Sequence, residues 1–283
     1  MNNKQRCNFH DIYVSGDKSK IKQILNTFPS SVIKFYSDKD YNLDILKEQK
    51  IWFSSPNYFN DPLDCVVNVD YDETAYEIFK KKCLKIFTEE AAKEFLSMND
   101  VKSFLNILIP LESNKYKKNM KALIDTAFVS CFSEPDNLTS LRMWGYYANS
   151  HKGFCSEYSM QDFYNPSNIR ELLPILYSNN YSFYSKYKTD YDLRKLKYTL
   201  FFTKSLEWNY EKEWRLLKLD KNYAGQPGFL SSFLTPKRIF LGCKMEKGFK
   251  ENLLSICKQM KIDTYEVYIF PNSYNLKCRK IDL

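Results

Sequence analysis

Glycine and histidine are scarce in this chain: seven and two residues, respectively, in 283. Ordinary glycine usage of about 7% would supply about twenty. There is no G-x-G-x-x-G and no G-x-x-x-x-G-K-[ST], so neither a Rossmann dinucleotide fold nor a P-loop is indicated. Eight cysteines lie scattered without a C-x-x-C pair. With so few histidines beside them, they give no metal-ligand spacing, and no metal site is expected. They read as reduced thiols, mostly small core residues. Long apolar runs are also missing, Ile107 to Leu111 being about as apolar as the chain gets. Met1 to Val14 is polar and lacks the apolar centre of a signal peptide. The expectation is a cytoplasmic protein with no membrane partner.

What the chain has in excess is aromatic side chains, 17% of residues (22 Tyr, 21 Phe, 4 Trp). Together with 44% hydrophobic residues, they exclude a disordered or collagen-like chain, because large apolar groups offset the entropy of ordering. The net charge of +8 permits nucleic-acid binding, but no RNP, zinc-finger or helix-turn-helix signature accompanies it. The basic runs at Lys80–Lys82, Lys115–Lys118 and Arg194–Lys197 alternate with acidic segments and read as solvated helix faces.

No repeat and no low-complexity linker divides the chain, so residues 1–283 read as a single domain. Strands are expected at 32–36, 51–55, 127–132, 154–158, 172–177, 213–219, 238–241 and 264–270. Helices are expected at 42–49 with Asn42 as N-cap, at about 138–148, through Leu193, Leu196, Leu200 and Phe201, and at 247–260. Residues 72–126 carry apolar side chains at helical spacing and read as a helical subdomain inserted into the rest. Strands and helices intersperse without a βαβ rhythm, which predicts an α+β fold with a mixed or antiparallel central sheet.

Four clusters carry residue types that neither a core nor a solvated face demands. In the first, a strand ends in Ser54 and Ser55 and runs into a corner at Asn60, Asp61 and Pro62. That corner is either a rigid Asx-turn or a pocket wall. In the second, Met143 to Gly153, His151 and Gly145 sit among Trp144, Tyr146 and Tyr147. The histidine serves either as a structural hydrogen-bond partner or beside rings suited to stacking on a nucleobase or nicotinamide. In the third, Lys204 to Arg215, an extended backbone would place Glu211, Glu213 and Arg215 on one face, where paired carboxylates invite perturbed pKa values. The bland alternative is a solvated face with a Glu211–Arg215 pair. In the fourth, Lys34 and Tyr36 leave the first strand just before a helix.

In combination these motifs (Trp-Phe-Ser-Ser-Pro-x-x-Phe-Asn-Asp-Pro, Cys-Phe-Ser-Glu, Met-Trp-Gly-x-Tyr-Ala-x-x-His-x-Gly and Trp-x-Tyr-Glu-x-Glu-Trp-Arg) resemble a large bacterial family of unknown function. Its members resemble accessory or effector proteins of mobile and phage-defence loci. The resemblance spans residues 32–242 and implies a partner protein of a defence system. A more distant similarity is to the ADP-ribosyltransferase superfamily, through a basic or aromatic first-strand residue, a strand ending in Ser and a late Glu-x-Glu. That similarity implies an NAD-using enzyme, a transferase or NAD glycohydrolase. Lys34 or Tyr36 would hold the ribose or diphosphate, and Tyr147 or Trp144 would stack on nicotinamide. Glu213 would stabilise the ribose oxocarbenium, and Glu211 would face a protein or nucleic-acid acceptor. Ser54, Asn60, Asp61, His151 and Arg215 complete the cofactor-binding set. The absence of His or Arg on the first strand and the Pro corner after Ser55 depart from the superfamily pattern. The alternatives are an RNA- or DNA-binding effector or nuclease, for which the candidate Glu48-x-Lys50 sits at a helix end rather than on the strand such a motif needs, and a non-enzymatic sensor module. A single enzymatic site requires Tyr36, Asn60, His151 and Glu213 to converge.

Overall fold

Residues 1–15, 28–66, 71–164, 172–179 and 193–283 are described by a computed structural model. Its strands are β1 (Ser31–Tyr36), β2 (Lys50–Ser54), β3 (Ala127–Ser133), β4 (Phe154–Ser159), β5 (Leu172–Pro174), β6 (Leu176–Tyr177), β7 (Thr203–Lys204), β8 (Glu213–Leu219), β9 (Gly228–Ser232), β10 (Arg238–Leu241), β11 (Asp263–Ile269) and β12 (Leu276–Ile281). Ten of them form one sheet in the order β12-β11-β10-β4-β1-β3-β2-β9, with β8 on β3 and β5 on β8. β10 and β11 pair parallel, joined through the helix Lys247–Met260. The other described pairs in this sheet are antiparallel, as an α+β fold with a mixed sheet predicts.

β1 pairs with β4 along its whole length, from Ser31↔Ser159 to Tyr36↔Phe154. It meets β3 at one register position, Ile33↔Ser133. β3 runs instead along β8, from Ala127↔Leu219 to Ser133↔Glu213. The sheet therefore parts between β1 and β3, and side chains from both strands face the gap. The apolar run Ala127–Phe132 is buried on both faces, which is why it reads as continuous rather than alternating. Phe128, Phe132, Trp214 and Phe229 form the core beside it.

The expected helical stretch is three helices, Tyr71–Leu84, Glu89–Ser97 and Asn99–Asp125, lying in the chain between β2 and β3. One expectation is corrected nearby. Helix Asp40–Lys47 starts with Lys39 as N-cap, and Asn42 sits inside it, donating from Nδ2 to the Ser37 carbonyl at 2.9 Å. The asparagine ties the helix back to the end of β1 instead of capping it.

Between helix Leu141–Tyr147 and β4 the chain makes a tight left-handed turn, with Asn149, Ser150 and His151 at φ 45°, 57° and 71°. It packs against bare backbone. A Cβ on Gly153 would lie 1.9 Å from the Tyr36 carbonyl oxygen, and one on Gly242 would lie 2.2 Å from that of His151. Backbone cannot step aside as a flexible side chain can, so Gly153→Ala is expected to lower stability by about 1–3 kcal/mol. Urea unfolding checks it, Gly145→Ala being the control, since nothing lies within 4 Å of a Cβ there.

An N-terminal helix, Asn3–Ser15, was not legible in the polar sequence. Arg6 and His10 are buried under it. Arg6 donates to the carbonyls of Ile175 and Glu213, both at 3.0 Å, and pairs with Glu134. His10 Nε2 donates to the Pro174 carbonyl at 2.6 Å. Burial, aided by the charge of Arg6 and opposed by that hydrogen bond, lowers the His10 pKa to about 4. The unfolded chain therefore takes up this proton first, near pH 6.5, and the folded chain only near pH 4. Stability is full above pH 6.5 and falls as pH drops through that window, by about 3 kcal/mol if the whole shift is realised. Urea midpoints at pH 7 and pH 4.5 should differ less in His10→Gln than in the native chain.

Candidate active site

A cavity of about 160 Å³ fills the gap between β1 and β3. Ile33, Lys34 and Phe35 line it from β1, and Cys131, Phe132 and Ser133 from β3. Phe59, Asn60 and Asp64 come from the loop after β2, Met143 and Tyr147 from helix Leu141–Tyr147, Lys204 from β7, and Glu213 and Arg215 from β8. Glu211 joins them from a 3₁₀ turn, Leu206–Glu211.

Local structure explains how Glu211 and Glu213 reach one place. β8 begins at Glu213, so the backbone is not extended from Tyr210 as the alternation argument required. Lys212 takes a left-handed conformation at φ 45° and reverses the chain between the two glutamates. Asn137 holds the corner, its Nδ2 donating to the Tyr210 carbonyl at 3.0 Å and the Glu211 carbonyl at 2.6 Å. The Glu213 N–H donates to the Tyr177 hydroxyl at 2.7 Å.

Arg215 is the hub. Its guanidinium grips both oxygens of Asp64, donates from Nε to Glu213 Oε1 at 2.7 Å, and from Nη1 to the Phe201 carbonyl at 3.0 Å. Such a planar fork suits two carboxylates at once. Lys204 Nζ bridges the rest, 2.7 Å from Glu211 Oε2, 3.2 Å from Glu213 Oε2 and 3.7 Å from Asp64 Oδ2. The Tyr147 hydroxyl donates to Glu211 Oε1. Lys34 stands apart. Its Nζ donates to the Cys131 carbonyl at 3.0 Å and lies over the rings of Phe132 and Tyr36. Among the described residues it has no carboxylate partner, whereas Lys204 and Arg215 are both paired.

These contacts separate the two glutamates electrostatically. Burial opposes charge on Glu213, but Arg215 and then Lys204 outweigh it and hold the carboxyl far below the usual carboxylate range. For Glu211, burial and then the neighbouring Glu213 charge push the pKa up, and Lys204 and Tyr147 offset only part of that. Burial lowers Lys34, with Cys131 and Glu213 partly opposing. Lys204 goes the other way: burial would lower it, but the three carboxylates raise it above the ordinary lysine value. A carboxylate fixed as an anion beside one shifted upward is the pattern by which paired acids divide roles.

Of the residues singled out in the sequence, Lys34, Asn60, Tyr147, Glu211, Glu213 and Arg215 line this one cavity. The other five do not. Tyr36 stacks on Phe154 in a neighbouring core. Ser54 pairs with Val129 and Gly228 in the sheet. Asp61 accepts from the Leu63 N–H at 2.9 Å, the Asx-turn alternative. Trp144 is fully buried and donates from Nε1 to the Leu138 carbonyl at 2.7 Å. His151 stacks on Trp144. The four-residue convergence is therefore not met: Asn60 and Glu213 line the cavity, whereas Tyr36 and His151 lie outside it. Asp64, Lys204 and Cys131 lie within the sequence clusters and motifs but are not among the site residues expected from them. Lys204 opens the charged run that holds both glutamates, Cys131 opens the Cys-Phe-Ser-Glu motif, and Asp64 closes the Pro/Asn/Asp cluster that begins at Pro56. Glu48 and Lys50 form an exposed ion pair at 2.6 Å, away from the cavity.

Residues 143–216, about a quarter of the chain, match a family described as a protein of unknown function (DUF2971). The matched stretch holds Tyr147, Lys204, Glu211, Glu213 and Arg215. No curated protein and no solved structure matches the chain.

Proposed function

Since the family match assigns no activity, we propose, from the resemblance to the ADP-ribosyltransferase superfamily together with the paired glutamates of the cavity, that this site cleaves the nicotinamide–ribose bond of NAD. The ribosyl group passes to water or to a protein or nucleic-acid acceptor. One observation carries this reading: Glu211 and Glu213 share Lys204 in a cavity, with their pKa values driven in opposite directions. As the C1′–N bond breaks, its electron pair leaves with nicotinamide and positive charge develops on the ribose. A carboxylate already oriented and held anionic by Arg215 and Lys204 stabilises that charge without reorganising. Glu211, with the higher proton affinity, receives the proton of the attacking hydroxyl as the new bond to C1′ forms.

Ligand pockets commonly measure about 300–1,000 Å³, so a cavity of about 160 Å³ would take one end of the dinucleotide, on this reading the nicotinamide–ribose end. Trp208 and Tyr210, whose rings lie 6.0 Å apart, and Arg142 over Tyr210 offer stacking surfaces beside Glu211. Lys34, which among the described residues makes no ion pair and feels the Glu213 charge only at longer range, is the cation offered to a ligand phosphate or hydroxyl. The resemblance to phage-defence effectors supports a role in such a system.

A non-catalytic sensor built round the same ions is the second reading, favoured by the complete pairing of Arg215. Incubation with nicotinamide-labelled and adenine-labelled NAD, with and without bacterial lysate, separates the two. The enzyme reading expects nicotinamide release, with adenine label on an acceptor if transfer occurs. Neither product under either condition would leave the sensor reading standing.

A further inference from the structure

Helix Asn99–Asp125 presents an apolar stripe to solvent. Phe104, Ile107 and Leu111 are 54%, 67% and 64% exposed, and Phe104 lies beside Phe79 of helix Tyr71–Leu84, with ring centroids 6.5 Å apart. At 3.6 residues per turn, Asp100, Phe104, Ile107, Leu111, Lys115 and Lys118 fall within an arc of about 80°. Over residues 100–118 the stripe is thus acidic at one end, apolar in the middle and basic at the other, while Asp125 at the helix end accepts from Asn57 Nδ2 at 3.2 Å. Among the described residues Asp100 and Lys118 make no ion pair, and Lys115 reaches only Glu112, at 4.0 Å on the surface.

We propose that this face joins two copies of the chain through an antiparallel pairing of the helix with itself. A two-fold axis between Ile107 and Leu108 sets Phe104 against Leu111 of the second copy and Asp100 against Lys115 of the second copy. The same contacts repeat on the other side, as an isologous interface requires. Charge complementarity selects this occupant. A parallel pairing would oppose Asp100 to Asp100 and Lys115 to Lys115, which is repulsive. An acidic partner helix would meet Asp100, and so would an anionic lipid surface. The site between β1 and β3 plays no part, so the proposal stands or falls apart from the NAD reading.

Sedimentation velocity on the full chain at about 10–100 µM tests it. The expected result is a concentration-dependent dimer that Ile107→Glu converts to monomer. Asp100→Lys alone and Lys115→Glu alone should each weaken it, and the two combined in one chain should restore it, because the swap re-forms both pairs across the axis. Ile107 is a surface residue, so circular dichroism should show all variants folded. A monomer throughout that range would overturn the proposal. So would a dimer that survives Ile107→Glu, or single charge reversals that the double reversal fails to rescue.

Discussion

Glu213→Gln is expected to slow nicotinamide release from NAD by about 10²–10³-fold, the effect of removing one preorganised electrostatic group from a reaction centre. The substitution keeps the volume and an oxygen that still accepts from Arg215 Nε, now 2.7 Å from Glu213 Oε1. It removes the negative charge at the place where the ribose becomes positive. Arg215 keeps Asp64 and Lys204 keeps Glu211, so the variant should fold, and assays run well below its melting temperature isolate the chemical loss. The effect belongs in kcat more than in KM, because the lost interaction strengthens only in the transition state. Glu211→Gln should instead depress transfer to an acceptor more than nicotinamide release. Steady-state kinetics of both products in both variants make the comparison. If Glu213→Gln matched the native rate, the carboxylate would have no catalytic role.

The largest expected effect on stability is at Arg215. Removing it leaves Asp64 and Glu213 buried with Lys204 as their remaining ion-pair partner among the described residues, and breaking a buried ion cluster from one side costs about 3–5 kcal/mol. Arg215→Met, similar in length but uncharged, should lose that much in urea unfolding. Adding Asp64→Asn to it should recover part of the loss, because the uncompensated charge is gone. Arg215→Lys should fall between, since an ammonium cannot hold Asp64 and Glu213 in one fork. Equal stability of Arg215→Met and the native chain would mean that the cluster is solvated and not the closed network described.

The pattern of the central sheet was legible because its strands are apolar on both faces or end at clear turn residues. Val32–Tyr36, Ala127–Phe132 and Arg238–Leu241 all appear close to their expected limits. Two of the elements that escaped carry charged residues where the pattern would be apolar. The N-terminal helix buries Arg6 and His10 beside Phe9, so its inward face does not look apolar. β12 is an edge strand whose outward positions are basic, a common defence of sheet edges, and Lys and Arg mask its alternation. In the site, residues near each other in sequence were legible as a group: Glu211, Glu213 and Arg215 carry their own signal. Asp64 reaches Arg215 across 151 positions, and only the fold creates that contact. The aromatic clusters divided in the same way. Trp144 and Trp214 are fully buried, whereas Trp208 lies beside Lys204, its ring 4.7 Å from the ammonium. Aromatic density marked the neighbourhood of the site but did not tell which rings face it.

The most direct measurement is a crystal structure of the Glu213→Gln variant with NAD bound. The account predicts the nicotinamide-bearing ribose between β1 and β3, with residue 213 within hydrogen-bond reach of a ribose hydroxyl and Lys34 on a ligand oxygen. NAD bound elsewhere on the surface, or a gap between β1 and β3 that stays closed to it at saturating concentration, would contradict the account.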